Sequence, residues 1–100
     1  MATITSLNDL IQKLSNDEDY KFSQLSTKFH LRISSLLTST TVSNINYHYG
    51  CIYGNIEVLY YGDYITEDEK NVLCAELSNI KDGQIEKYKF HIMEHGKEGD

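Results

Sequence analysis

Leu7, Leu10, Ile11 and Leu14 recur at three- and four-residue spacing, so the chain opens on a short helix with one apolar face. Thr5 or Ser6 can cap its start, and Asp9 falls in the first turn, where the helix dipole favours an acid. The polar cluster Ser15-Asn16-Asp17-Glu18-Asp19 ends it. A second stripe follows in Phe22, Leu25, Phe29, Ile33 and Leu36. It reads either as one long amphipathic helix over Tyr20 to Ser39 or as two short helices that turn near His30-Leu31.

From Asn44 the period reads as two. Ile45, Tyr47, Tyr49, Cys51 and Tyr53 alternate with Asn46, His48, Gly50 and Ile52. Gly54-Asn55 is a hairpin-turn dipeptide, and Ile56, Val58 and Tyr60 then alternate with Glu57, Leu59 and Tyr61 up to Gly62-Asp63. Thr66 and Glu69 form a capping box for a helix that runs to about Ile80, with Val72, Leu73, Leu77 and Ile80 facing inward. Lys81-Asp82-Gly83 reads as its end, with glycine as the left-handed cap. Tyr88, Phe90 and Ile92 alternate with Lys87, Lys89 and His91 as a final strand, and Glu94 to Asp100 as a frayed charged tail. The expected fold is α+β over one domain, residues 1–100. Two or three N-terminal helices, a β-hairpin, a helix and a final strand would make a small three-stranded antiparallel sheet with helices on one face.

Within the second stripe, Leu25, Ser26, Phe29, Leu31 and Leu36 occupy the buried positions of a helix-turn-helix, which residues 22–37 resemble. The hairpin that follows is similar to the wing of winged-helix domains. That resemblance implies a DNA-binding transcriptional regulator with Lys28, Arg32, Ser34 and Ser35 at the nucleic acid.

Charge shifts the expectation elsewhere. The chain carries −6, all of it in residues 44–100, where five lysines face eleven acids. From Thr40 to Glu69 there is no Lys or Arg at all, although nucleic-acid affinity comes mostly from those residues. The same stretch holds most of the eight tyrosines, side chains that offer large contact area with a polar tip. Tyr47, Tyr49, Tyr53, Tyr61 and Tyr64, with Glu57, Asp63, Glu67 and Asp68, are therefore the expected partner-binding residues. An acidic, aromatic surface suits a basic protein surface. The expected role is a non-enzymatic protein-binding module, an inhibitor or immunity-type protein of a phage or microbe that blocks a basic nucleic-acid-binding partner. DNA is the alternative partner, and a homodimer is compatible with the pattern.

Chemistry is sparse. No phosphate loop, nucleophile elbow or HExxH motif occurs, so no enzyme activity and no cofactor are expected. His48-x2-Cys51 and His91-x3-His95 have spacings that zinc could use, but strand positions would not make them converge, and no metal is expected. Cys51 and Cys74 read as buried small hydrophobes. No run approaches the ~18–20 apolar residues of a membrane span, and no signal peptide opens the chain, so the expected location is cytoplasmic.

Overall fold

A computed structural model describes residues 3–95, with side chains described as far as Tyr88. It contains four helices: α1 (Leu7–Ser15), α2 (Tyr20–Thr38), α3 (Val42–Tyr61) and α4 (Glu67–His95). Among the described residues there is no β-strand. The α+β expectation, with its hairpin and three-stranded sheet, is therefore replaced by an all-helical fold.

Local chemistry sets most of the helix ends. Ser6 caps α1 by accepting the Asp9 N–H at 3.1 Å. The Asp9 carboxylate in turn accepts from the Thr5 hydroxyl at 2.8 Å and the Thr5 N–H at 3.1 Å, which holds its pKa below the usual carboxylate range. Asp19 caps α2 through the Lys21 N–H, and Thr41 caps α3 through the Asn44 N–H. The Thr66–Glu69 capping box forms as expected. Glu69 N–H donates to Thr66 Oγ1 at 3.1 Å, and Thr66 N–H donates to Glu69 Oε1 at 2.8 Å.

The helices alternate in direction. Lys13 of α1 lies against Tyr64 just before α4, while the Leu7 N–H donates to Glu76 Oε1 at 2.6 Å, so α1 and α4 are antiparallel. Lys70 covers the ring of Tyr60 and Lys81 that of Tyr49, which sets α3 antiparallel to α4. Gln84 donates to the Ser39 carbonyl at 2.7 Å, and Tyr64 stacks on Phe22, so α2 and α4 run in the same direction. Glu69 does double duty. It closes the α4 cap and also accepts the Ile4 N–H at 2.9 Å, fastening the segment before α1 to α4. Those hydrogen bonds hold its carboxyl below the ordinary range, the Thr66 backbone bond contributing most.

The predicted hairpin is α3, and burial explains why. Ile45, Ile52 and Ile56 are fully buried and Leu59 nearly so. At 3.6 residues per turn these four fall within roughly 60° of one another. As alternating strands they would split between two faces and leave part of the set in water. Gly50, placed within the first strand, and Gly54, read as a turn, are interior residues of this helix, and Asn55 follows in the same turn.

The helix-turn-helix is corrected in the same way. Of the two readings of residues 20–39, the single helix is the one found: α2 passes through His30 and Leu31 without a break. Phe29 and Leu36 are buried on one face, with Phe22, Leu25 and Ile33 packed beside them. A continuous stripe gives the chain no reason to turn, and a helix stands where a wing was expected, so the winged-helix variant falls with it.

The cap at Gly83 and the final strand over residues 87–92 are likewise one helix, α4. Leu73, Leu77, Ile80, Gln84 and Tyr88 continue at three- and four-residue spacing across Gly83, and packing of that stripe overrides the glycine. Glu94 and His95, expected to open a frayed tail, are the last residues of α4. The remainder of that tail lies outside the described residues.

Gly83 gives a direct check. A Cβ there would meet nothing within 4 Å. Gly83→Ala should therefore raise the unfolding free energy by about 1 kcal/mol, as expected for an interior helical glycine. A left-handed cap would show the opposite sign in a denaturant melt.

Candidate protein-binding surface

The bundle separates the tyrosines by helix face. Tyr49 and Tyr53 pack against the core, with ring centroids 5.9 Å apart. The Lys81 ammonium lies 4.4 Å from the Tyr49 ring centre. Tyr47 and Tyr61 point outward and are 59% and 73% exposed. They stand fourteen positions apart on α3, roughly 21 Å along the axis. The nine partner-binding residues expected from sequence therefore do not form one patch.

Tyr64 has a structural task. Its hydroxyl donates to Asp17 Oδ2 at 2.8 Å, its ring stacks on Phe22 at 4.4 Å, and the Lys13 ammonium sits 4.7 Å from the ring centre. Lys13 also donates to the Tyr64 carbonyl at 3.3 Å. The α3–α4 connection is thereby tied to the α1–α2 connection. Partial burial, then the bond to the Asp17 carboxylate, push the Tyr64 phenol up to about 12.

Apart from Tyr47, what remains exposed gathers where α3 ends and α4 begins. Gly62 closes α3 by donating to the Val58 carbonyl at 3.0 Å, and a Cβ on Gly62 would stand 3.3 Å from that oxygen. Asp63 follows with φ 62°, a left-handed conformation that Asp tolerates better than most residues. Its side chain is exposed, as are Glu67 and Asp68 in the first turn of α4. Tyr61, Asp63, Glu67 and Asp68 thus share one end of the bundle. Glu57 is half-buried on the α4 side of α3, close enough to Cys74 for its charge to act on the thiol. That thiol is raised chiefly by burial.

Lys28, Arg32 and Ser35, assigned to DNA by the helix-turn-helix resemblance, line an open cleft between α2 and α3 with Leu31, Cys51 and Asn55. Ser34 is exposed on α2 and is not part of that cleft. Arg32 lies over the Tyr47 ring at 5.6 Å. Cys51 and Cys74 are both half-buried free thiols. Among the described residues no group of three His, Cys, Asp or Glu side chains could hold a metal ion, and no helix is long and apolar enough to cross a membrane. The side chains of His91 and His95 lie outside the described residues.

Leu31, given a buried position by the helix-turn-helix resemblance, and Val58, placed on a strand, are both exposed. Leu31 is 58% exposed and Val58 is 68% exposed. Only a helical projection of α2 and α3 separates them from the core positions on the same helices.

The Tyr64 bond predicts an alkaline transition. A phenol whose folded pKa exceeds its unfolded value contributes stability that is complete below pH 10 and is lost as pH rises toward 12. Tyrosinate absorbance should show a late-ionising step, and Tyr64→Phe should remove it. At neutral pH the variant should lose about 1 kcal/mol with the hydrogen bond. A late step that Tyr64→Phe leaves in place, or no late step at all, would contradict the geometry.

Comparison with protein-family models, with curated proteins and with solved structures gives no match in any of the three, so the reading of this surface rests on its own residues.

Proposed function

We propose that the protein is a non-enzymatic protein-binding module that covers a basic surface on a partner protein, in the manner of an inhibitor or immunity-type protein acting on a nucleic-acid-binding face. The observation that carries this reading is the corner formed by Tyr61, Asp63, Glu67 and Asp68, all exposed at one end of the bundle.

The chemistry suits such a partner. Three carboxylates within six residues raise a local negative potential that speeds encounter with a cationic surface. Tyr61 supplies a rigid aromatic contact with a polar tip beside them. The nearest lysine in sequence, Lys70, lies over the Tyr60 ring. Support for the DNA alternative came from the helix-turn-helix pattern, and α2 is a continuous helix.

Titration against purified basic nucleases, beginning with any encoded beside this chain's own gene, tests the reading. A complex is expected whose association slows as salt rises. Joint replacement Asp63→Lys, Glu67→Lys and Asp68→Lys should weaken it roughly tenfold or more. Failure to bind any of them, or an affinity that the triple reversal leaves unchanged, contradicts the proposal.

A further inference from the structure

The outward side of α3 lies opposite its buried stripe. Tyr47, Gly54, Val58 and Tyr61 fall within roughly 60° on the helix, flanked by Gly50 and Cys51. Tyr47, Val58 and Tyr61 are 59%, 68% and 73% exposed, and Leu31 of α2 continues the surface across the cleft that it lines with Cys51. Isolated exposed apolar residues are ordinary, but a continuous line of them on one helix is not. None of the six α3 residues is Asp, Glu, Lys, Arg or His, in a chain that carries −6.

The order of side chains along this line is symmetric. Tyr47 and Tyr61 stand seven residues either side of Gly54, and Gly50 and Val58 stand four either side. Two antiparallel copies of α3 crossing at Gly54 would set Val58 of each copy opposite Gly50 of the other. The tyrosines would meet at both ends. Near the crossing, Val58 then faces the small Gly50, as interdigitating helices require, while ring packs on ring at the two ends. A Cβ at Gly50 or at Gly54 would meet nothing within 4 Å in this chain, so neither glycine serves the monomer's packing.

Charge favours the same occupant and the same direction. The α3 line itself carries no charge, with Lys28 and Arg32 only at its α2 side, so two copies that repel through their net charge can meet along it without opposing acids. Arg32 lies over Tyr47, and Asp63 follows Tyr61 by two residues. Antiparallel pairing brings one copy's Arg32 to the end that carries the other's Asp63. Parallel pairing would set Asp63 against Asp63. Tyr47, Tyr61, Val58 and Leu31 offer roughly 500 Å² per copy, which brings a pair to the ~1,000 Å² total that a specific interface requires.

We infer that the outward face of α3 is a self-association surface, on which a second copy of this chain packs antiparallel with the helices crossing at Gly54. The inference goes beyond the proposed binding corner. It takes the Tyr61 ring into the seam and leaves Asp63, Glu67 and Asp68 outside it, one acidic group at each end.

Sedimentation velocity from about 1 to 100 μM, with no other protein present, tests it. The expected result is a reversible dimer with a Kd in the micromolar range. Gly54→Leu should raise that Kd at least tenfold with helix content unchanged by circular dichroism, because the site is open in the monomer. The direction is read from cross-linking in a Cys51→Ser, Cys74→Ser background. Gly50→Cys and Val58→Cys variants should form a disulfide when mixed, and much less when each is oxidised alone. A monomer at 100 μM overturns the inference. So does a dimer indifferent to Gly54→Leu, or one in which Gly50→Cys links chiefly to itself. A dimer would withdraw Tyr61 from the binding corner but leave its three carboxylates free, and their test needs a basic partner.

Discussion

Ile45, Ile52, Ile56 and Leu59 must leave water together, and one face of a helix allows it. That requirement makes residues 42–61 a single rod, and the other helices arrange themselves around it. α2 packs along one flank and α4 along the other, with Lys70 and Lys81 spanning from α4 to the α3 aromatics. α1 is less than half as long and covers the starts of α2 and α4. Two carboxylates of α4 hold that end in place, Glu69 at the Ile4 N–H and Glu76 at the Leu7 N–H. A helix start otherwise leaves the Leu7 N–H unpaired, so the Glu76 bond completes α1, and the Glu69 bond fastens the segment before it.

The legible parts of the sequence were those where period, capping and propensity agree. α1, its Ser6 cap, the apolar stripe of α2 and the Thr66–Glu69 capping box all have that agreement. α3 lacks it. Tyr, Ile and Val favour strands, Gly54-Asn55 reads as turn chemistry, and alternate residues are apolar over much of its length. Its helix exists because tertiary burial outweighs weak local preference. Gly83 misleads for the same reason, since its role depends on whether Gln84 and Tyr88 have something to pack against. The ties from Tyr64 to Asp17 and from Glu69 to Ile4 span 47 and 65 positions, a separation at which no local pattern operates.

The candidate surface was legible by composition and not by geometry. Aromatic and acidic residues do concentrate between Tyr47 and Asp68, but a helix distributes them over all its sides. Tyr49 and Tyr53 go to the core, Tyr64 to an interloop tie, and Tyr47 and Tyr61 to the solvent face. Asp63, Glu67 and Asp68 remain together because the α3–α4 connection is short, and α4 begins with the acids that its own dipole favours. One helix thus presents an uncharged line along its outer side and an acidic group at its end, two surfaces suited to different partners.

All of this rests on α3 being one uninterrupted helix. Backbone chemical shifts measure that residue by residue. The account predicts helical Cα shifts from Val42 to Tyr61, with no break at Gly54-Asn55 and medium-range contacts between residues three apart throughout. Extended shifts on both sides of a reversal at Gly54-Asn55, with contacts between the two arms, would contradict it.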